Sequence, residues 1–361
     1  MAGCVGGGGG GGGQGGQQTI ANNLVVFSWY EQWHQRMLNK FKQQHSGLST
    51  SLTAYGSNQE LYSKLKAAGT DSVDFVLPSN NMLTRLREED MIQPINTDWI
   101  DRWNLQKPLA DKDPWKNFVK ADGEYWGVPF AQGIYMNAAR KSKVEQGVVP
   151  KELITSWDLY FEDTDARLGI KDYGRRNVSI VIWHLRGAKG DINKDPGDAV
   201  SWSKIEDKLV EMIRNSKTIF SSAESARRLI KQDQLDAANI WGGDVVQLRN
   251  MSGVEDAKGY FPEEGTNGWF DSFAVPKGAP HAYTAHQYMN FILKPERLLK
   301  EYEIEGEVAV QKGLLEKMST EKKQKFQFLL DIPMEKLQPY TANKKLQNRA
   351  TQAWNNAKSR A

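Results

Sequence analysis

The sequence predicts an α/β protein built as two lobes. Strand, helix and strand alternate with short connections from Asn22 to Leu77, and the same alternation restarts at Leu168. The length of 361 residues also exceeds what one hydrophobic core usually serves. Hydrophobic residues at 39% and charged residues at 25% describe an ordinary globular chain, neither a membrane span nor a disordered polymer. The charge is nearly balanced, 47 basic against 44 acidic, with no long stretch of one sign, so a nucleic-acid groove is not indicated. Cys4 is the single cysteine, which excludes an internal disulfide framework and a cysteine-rich metal cluster.

The first element is a buried strand over Asn22–Trp29, because Leu24, Val25, Val26 and Phe27 form a short apolar run. Met37, Leu38 and Phe41 then recur at helical spacing. A strand is expected near Ser51–Tyr55, a helix over Gln59–Ala68 and a strand at Val73–Leu77, stopped by Pro78. Asp98–Ala121 shows no clear period, and Tyr125–Phe130 (YWGVPF) reads as an edge strand. The second unit is expected as a strand at Leu168–Lys171, helices over Val178–Arg186 and Ser203–Asn215, and a strand at Ala238–Trp241. A strand at Gly268–Pro276, helices from Ala282 and Pro295, and a polar helix over Asn343–Lys358 complete the chain. In parallel sheets ligands bind beyond the carboxyl ends of strands, which marks Ser28–Glu31 and Ser79–Asn81 as candidate site loops. Trp269 and Asp271 lie two apart on a strand and therefore point to one side, an aromatic wall beside a carboxylate. Phe270 and Phe273 already supply inward apolar groups there.

With these segments placed, the chain from about Asn22 onward resembles the extracytoplasmic polyamine-binding proteins, the spermidine and putrescine receptors of ABC importers. Gly259–Pro276 (GYFPEEGTNGWFDSFAVP) is the most specific stretch, supported by FSWYEQW, LPSNNML, REEDMIQPI, YWGVPF, TSWDLY and IWGGD in that order. The resemblance implies a two-lobed periplasmic-binding-protein fold of type II, with the ligand in a cleft between lobes and no catalysis. It implies lobe 1 from residues 22–131 and 255–300, lobe 2 from 132–254 and 301–361, and a tether over 1–21. Ala2, Gly3 and Cys4 look like the end of a lipobox, so Cys4 is expected to carry a lipid and the Gly and Gln tract to hold the body near a membrane. The expected partners are a polyamine and the permease subunits of an importer; the expected state is a monomer without cofactor or metal.

A polyamine needs carboxylates for its ammonium ends and aromatic walls for its methylenes. The resemblance assigns an amine to Asp271 and stacking to Trp269, and adds Trp241 and Asp244 from WGGD. Trp29, Tyr30 and Glu31 match positions that supply an aromatic, a small hydroxyl and an acid, although Tyr30 replaces the usual Ser or Thr. Ser79 and Asn81 fall among polar cleft positions, and Gln132 and Tyr135 on the second wall, with Gln132 in place of an aromatic. The ligand is expected to bridge Glu31 and Asp271 on one side and Asp244 on the other. The family's second-lobe acids are replaced by Arg175, Arg176 and Asn177, so Asp172 or Glu307 is expected to substitute, or the solute is zwitterionic or anionic and held by an arginine. An enzyme is disfavoured. Ser63–Lys66 matches S-x-x-K without a K-T-G partner, and His281 and His286 lack the H-E-x-x-H arrangement. A surface adhesin on the same fold would leave the cleft without matched acids.

Overall fold

The computed structural model describes residues 18–361 except 114, 197–199, 306–307, 310, 312 and 331–332. Cys4, residues 1–17 of the tether and Glu307 lie outside the described residues.

A three-stranded parallel sheet opens the chain, with β1 (Asn23–Ser28) between β2 (Ser49–Ala54) and β3 (Phe75–Val76). Leu24, Val26 and Phe27 are buried in β1, and α1 (Glu31–Gln44) lays Trp33, Met37, Leu38 and Phe41 into the core at helical spacing. The next helix, α2 (Asn58–Ala68), is capped by Ser57, whose hydroxyl accepts from the Glu60 N–H at 3.2 Å. β3 is shorter than the apolar run Val73–Leu77 predicts. The buried Asp74 carboxylate accepts from the Val25 N–H at 2.8 Å and so takes a donor that a longer ladder would use. There follow α3 (Asn80–Glu88), β4 (Ile92–Gln93), α4 (Trp103–Ala110), α5 (Lys116–Val119), β5 (Lys120–Ala121) and β6 (Glu124–Tyr125).

Of the segment expected as an edge strand, Tyr125 ends β6, while Val128–Phe130 begins the spine of the molecule, β7 (Val128–Arg140). The second lobe then supplies α6 (Lys141–Glu145), β8 (Leu168–Lys171), α7 (Gly174–Arg186), α8 (Trp202–Arg214), β9 (Ser216–Phe220), α9 (Ala223–Lys231), β10 (Ala237–Trp241) and α10 (Gly242–Arg249). After β11 (Ala257–Tyr260) the chain runs through β12 (Gly268–Phe273), β13 (Val275–Pro276), α11 (Ala282–Ile292), α12 (Pro295–Glu305) and β14 (Val308–Ala309) to α13 (Thr320–Leu330) and α14 (Lys344–Arg360). The first half of β7 pairs antiparallel with β12 and β14, the second half with β10 and β11. Nearly every residue of β7 is buried, so both faces of the strand are covered and the burial does not alternate. Pro129 has no N–H to give a partner strand, and the register with β12 shifts opposite it, between Asp271 and Ser272.

β8 lies parallel to both β9 and β10, giving the second α/β unit. β11 joins this second sheet, with Ala257 opposite Arg140 and Tyr260 opposite Asn137, whereas the sequence reading assigned residues from 255 onward to the first lobe. The polar helix α14 docks on α7 and α8 through Leu346, Ala350, Ala353, Trp354 and Ala357. Contact is close because Gly174 opens α7: a Cβ there would sit 2.8 Å from both the Ala350 carbonyl oxygen and the Trp354 Cβ. Among the described residues no helix is long and apolar enough to cross a membrane.

Trp354 is buried and its indole donates to Asp172 at 2.6 Å. Trp354→Ala is therefore expected to cost about 3 to 5 kcal/mol in urea unfolding. A loss below about 1 kcal/mol would mean that the helix does not hold the second lobe together.

Candidate functional site

A cleft of about 980 Å³ opens between the lobes. One wall comes from the ends of β1 and β3 and from β12: Trp29, Tyr30, Ser79, Asn80, Asn81, Trp269 and Asp271. The other comes from β7, the ends of β8 and β10, and the approach to α14: Tyr135, Tyr173, Trp241 and Tyr340, with Asn343 and Gln347. The carboxyl ends of the strands thus meet at the cleft from both sides.

Asp271 is the centre of the first wall. It is 2% exposed, and one carboxylate oxygen accepts from the Tyr30 hydroxyl at 2.9 Å. Its other oxygen, Oδ1, is buried without a partner, as is the Trp29 indole N–H on the same wall. Burial pushes the carboxyl up to about 7, against the opposing pull of the Ser79 and Tyr30 hydroxyls and the nearby Trp29 indole. The backbone fixes this position firmly. Ser79 and Asp271 bridge the two segments, and the Ser272 N–H donates to the Pro78 carbonyl at 3.1 Å.

Trp269 shares the side of β12 that faces the cleft, as the two-residue spacing requires. Its ring lies over Gly133 of β7, where a Cβ would come within 2.3 Å of it, so only glycine admits the indole. Trp241 meets Trp269 edge-on with centroids 5.9 Å apart, and Tyr135 stacks on Trp241. Phe270 turns the other way, onto Trp115 and Phe118. Asn80 ties the walls together. Its side-chain carbonyl accepts from the Phe270 N–H at 3.3 Å, and its amide donates to the Tyr340 carbonyl at 2.7 Å.

Several sequence expectations do not survive this geometry. Glu31 is exposed in the first turn of α1, where an acid favours the helix N-terminus, and it is not part of the lining. Asp244 is buried in an ion pair with Arg227 and accepts from the Trp241 N–H at 3.3 Å, away from the cleft. Gln132 accepts from the Trp115 indole at 3.3 Å, outside the lining. The proposed substitute Asp172 is engaged by Trp354 and by Lys358 at 3.0 Å. Arg175 and Arg176 are also absent from the lining. The Arg176 guanidinium lies 2.9 Å from the Tyr135 ring centroid and donates to the Asn239 carbonyl at 3.1 Å; Arg175 donates to the Ile192 carbonyl and stacks 5.0 Å from the Tyr340 ring. Of the three carboxylates expected at the ligand, only Asp271 is there.

Trp29, Tyr30, Ser79, Asn81, Tyr135, Trp241 and Trp269 do line the cleft together. Sequence reasoning missed Tyr173 and Tyr340. Tyr173 could have been found, since it lies two residues past the strand ending at Lys171; Tyr340 comes from the far end of the chain, and no local pattern marks it.

A family model for bacterial extracellular solute-binding proteins matches residues 36–327. The chain belongs to that family. Family members carry solutes to a transporter and are not enzymes. Among similar proteins, the spermidine/putrescine-binding periplasmic protein of Escherichia coli strain K12 is 25% identical over 281 residues, covering 76% of this chain and 74% of that protein. The putrescine-binding periplasmic protein SpuD of Pseudomonas aeruginosa strain UCBPP-PA14 is 26% identical over 286 residues, with the same coverage of 76% and 74%. The solved structure of PotD, the spermidine/putrescine ABC transporter substrate-binding protein of Streptococcus pneumoniae, superposes with a TM-score of 0.76 at 21% identity, covering 94% of this chain and 99% of that one. It has the two-lobed solute-binding fold, as does this chain.

The raised Asp271 pKa makes a stability prediction. The folded state keeps this proton from the ordinary value of 3.8 up to about 7, while the unfolded chain releases it near 3.8. Stability contributed by this group therefore falls as pH rises through that window. Asp271→Asn should raise the melting temperature of the ligand-free protein at pH 8 and leave it nearly unchanged at pH 4. A loss of stability at pH 8 would mean that the carboxylate is well satisfied in the free protein.

Proposed function

We propose that this chain is the extracytoplasmic receptor of an ABC importer, and that its solute is a polyamine, putrescine or spermidine. The observation that carries the reading is the buried Asp271 carboxylate with an unpartnered Oδ1, opening into a cleft walled by Trp29, Trp241 and Trp269. An ammonium donates to that oxygen and restores the charge-assisted bond that burial removed. The indole rings pack the methylenes and attract the cation, with about 0.5 to 2 kcal/mol available from each well-placed ring. The names of the relatives point to the same solute.

Capture then closes the hinge. The lobes are joined by β7 with its partners, and a ligand held from both walls favours the closed form by its differential contacts. The closed surface engages the permease. A lipid on Cys4 would keep the receptor, a monomer, at the membrane. A receptor for an anionic or zwitterionic solute would need a cation held against the solute; Arg175 and Arg176 lie outside the lining, Arg85 within it is paired with Glu89 at 2.7 Å, and Lys344 is exposed to water.

Titration calorimetry at pH 8 with putrescine, spermidine, spermine and arginine, with tryptophan fluorescence in parallel, tests this. At least one polyamine should bind with a tryptophan signal, and Asp271→Asn should weaken it by about thirtyfold or more, as for loss of a buried charged hydrogen bond. No polyamine binding, or binding indifferent to Asp271→Asn, would overturn the reading. Protons compete with the amine for a carboxylate that titrates near 7. Affinity should accordingly fall about tenfold from pH 8 to pH 6; a flat profile would place the cation elsewhere.

A further inference from the structure

The two walls of the cleft differ in charge. The first holds the buried Asp271, and the second, among the described residues, presents Tyr135, Tyr173, Trp241, Tyr340 and Gln347 with the exposed Lys344 and without a carboxylate. The nearby acids have other partners: Asp244 pairs with Arg227, and Asp172 takes Trp354 and Lys358. At the rim, Glu89 accepts from Arg85 at 2.7 Å and from the Tyr62 hydroxyl at 2.6 Å, while Glu88 is exposed to water. Behind the second wall sit two buried cations, Arg176 against the Tyr135 ring and Arg175 near the Tyr340 ring. Each retains a buried N–H without an acceptor, Arg176 at Nε and Arg175 at Nη1. Their charge is thus incompletely answered by the protein.

We infer that the site reads an ammonium at one end of the solute only, and that the far end it accepts best is neutral and hydrogen-bonding, as in a mono-N-acylated diamine. This rests on the proposed amine receptor and narrows its solute class. A second ammonium placed against the second wall of the closed cleft would lose water, find no carboxylate there among the described residues and face a wall backed by two guanidiniums. With Arg176 on one face of Tyr135 and Trp241 stacked on the other, that ring has no open face to offer a cation. An amide tail has no charge to desolvate and matches a wall of hydroxyls and amides. A carboxylate tail is less favoured, because neither buried guanidinium reaches the cleft and the cation on that wall, Lys344, is exposed to water, where an ion pair gains little.

The experiment compares putrescine, N-acetylputrescine and 4-aminobutyrate on the full chain at pH 8 by calorimetry, repeated with Asp271→Asn. The inference expects N-acetylputrescine to bind at least as tightly as putrescine, 4-aminobutyrate to bind more weakly than either, and Asp271→Asn to weaken both amines by a similar factor. Putrescine binding more than threefold tighter than N-acetylputrescine would overturn the inference while leaving the amine receptor standing. So would 4-aminobutyrate binding tightest, which would make the far wall an anion site. Silence of all three, together with spermidine, would overturn the receptor reading itself.

Discussion

Burying the Asp271 carboxylate with one oxygen unpaired carries a free-energy cost that the surrounding fold must offset, and much of the local architecture can be understood from that constraint. Tyr30 at the end of β1 gives one donor, and Ser79 at the end of β3 holds the strand against β12. The register shift between Asp271 and Ser272 lies opposite Pro129, where β7 has no N–H to give. Behind the carboxylate, Phe270 and Phe273 anchor β12 in the core, packed on Trp115 and Phe130. The group is held rigidly where it is poorly solvated, which is how a preorganised site gains affinity for a cation.

The same strand that faces Asp271 also joins the lobes. β7 pairs with β12 in its first half and with β10 and β11 in its second, so Trp269 and Trp241, on opposite walls, are both placed by one continuous element. Gly133 lets Trp269 lie across that element, and Tyr135, two residues on, stacks on Trp241. Aromatic packing of the site and mechanical connection of the lobes are therefore not separable features. Asn80, bonded to the Phe270 backbone and to the Tyr340 carbonyl, is a direct link between the first wall and the segment leading into α14.

Much of this was legible in the sequence where the signal is local. The apolar run of β1, the helical spacing in α1 and the two-residue spacing of Trp269 and Asp271 led to the observed elements and to the side chains that face the cleft. The failures have a common cause in pairing between distant residues. Tyr125–Phe130 reads as a short edge strand, yet β7 runs on to Arg140 and four partner strands make it central. Glu31, Asp244 and Asp172 are acids in suitable stretches, but an outward helix position and the ion pairs with Arg227 and Lys358 remove them from the cleft. Tyr340 enters the site because α14 docks on α7 and α8, a contact that depends on Gly174 and Trp354 rather than on any pattern around Tyr340.

The central claim is that Asp271 is a strained, cation-seeking carboxylate. Carbon-13 NMR of its side-chain carboxyl, assigned by loss of the signal in Asp271→Asn, can follow its titration with and without saturating putrescine. The account predicts a midpoint near 7 in the free protein and a fall of about two units or more when the amine is bound, because the ammonium favours the charged form. A midpoint near the ordinary carboxylate value that putrescine does not move would contradict it.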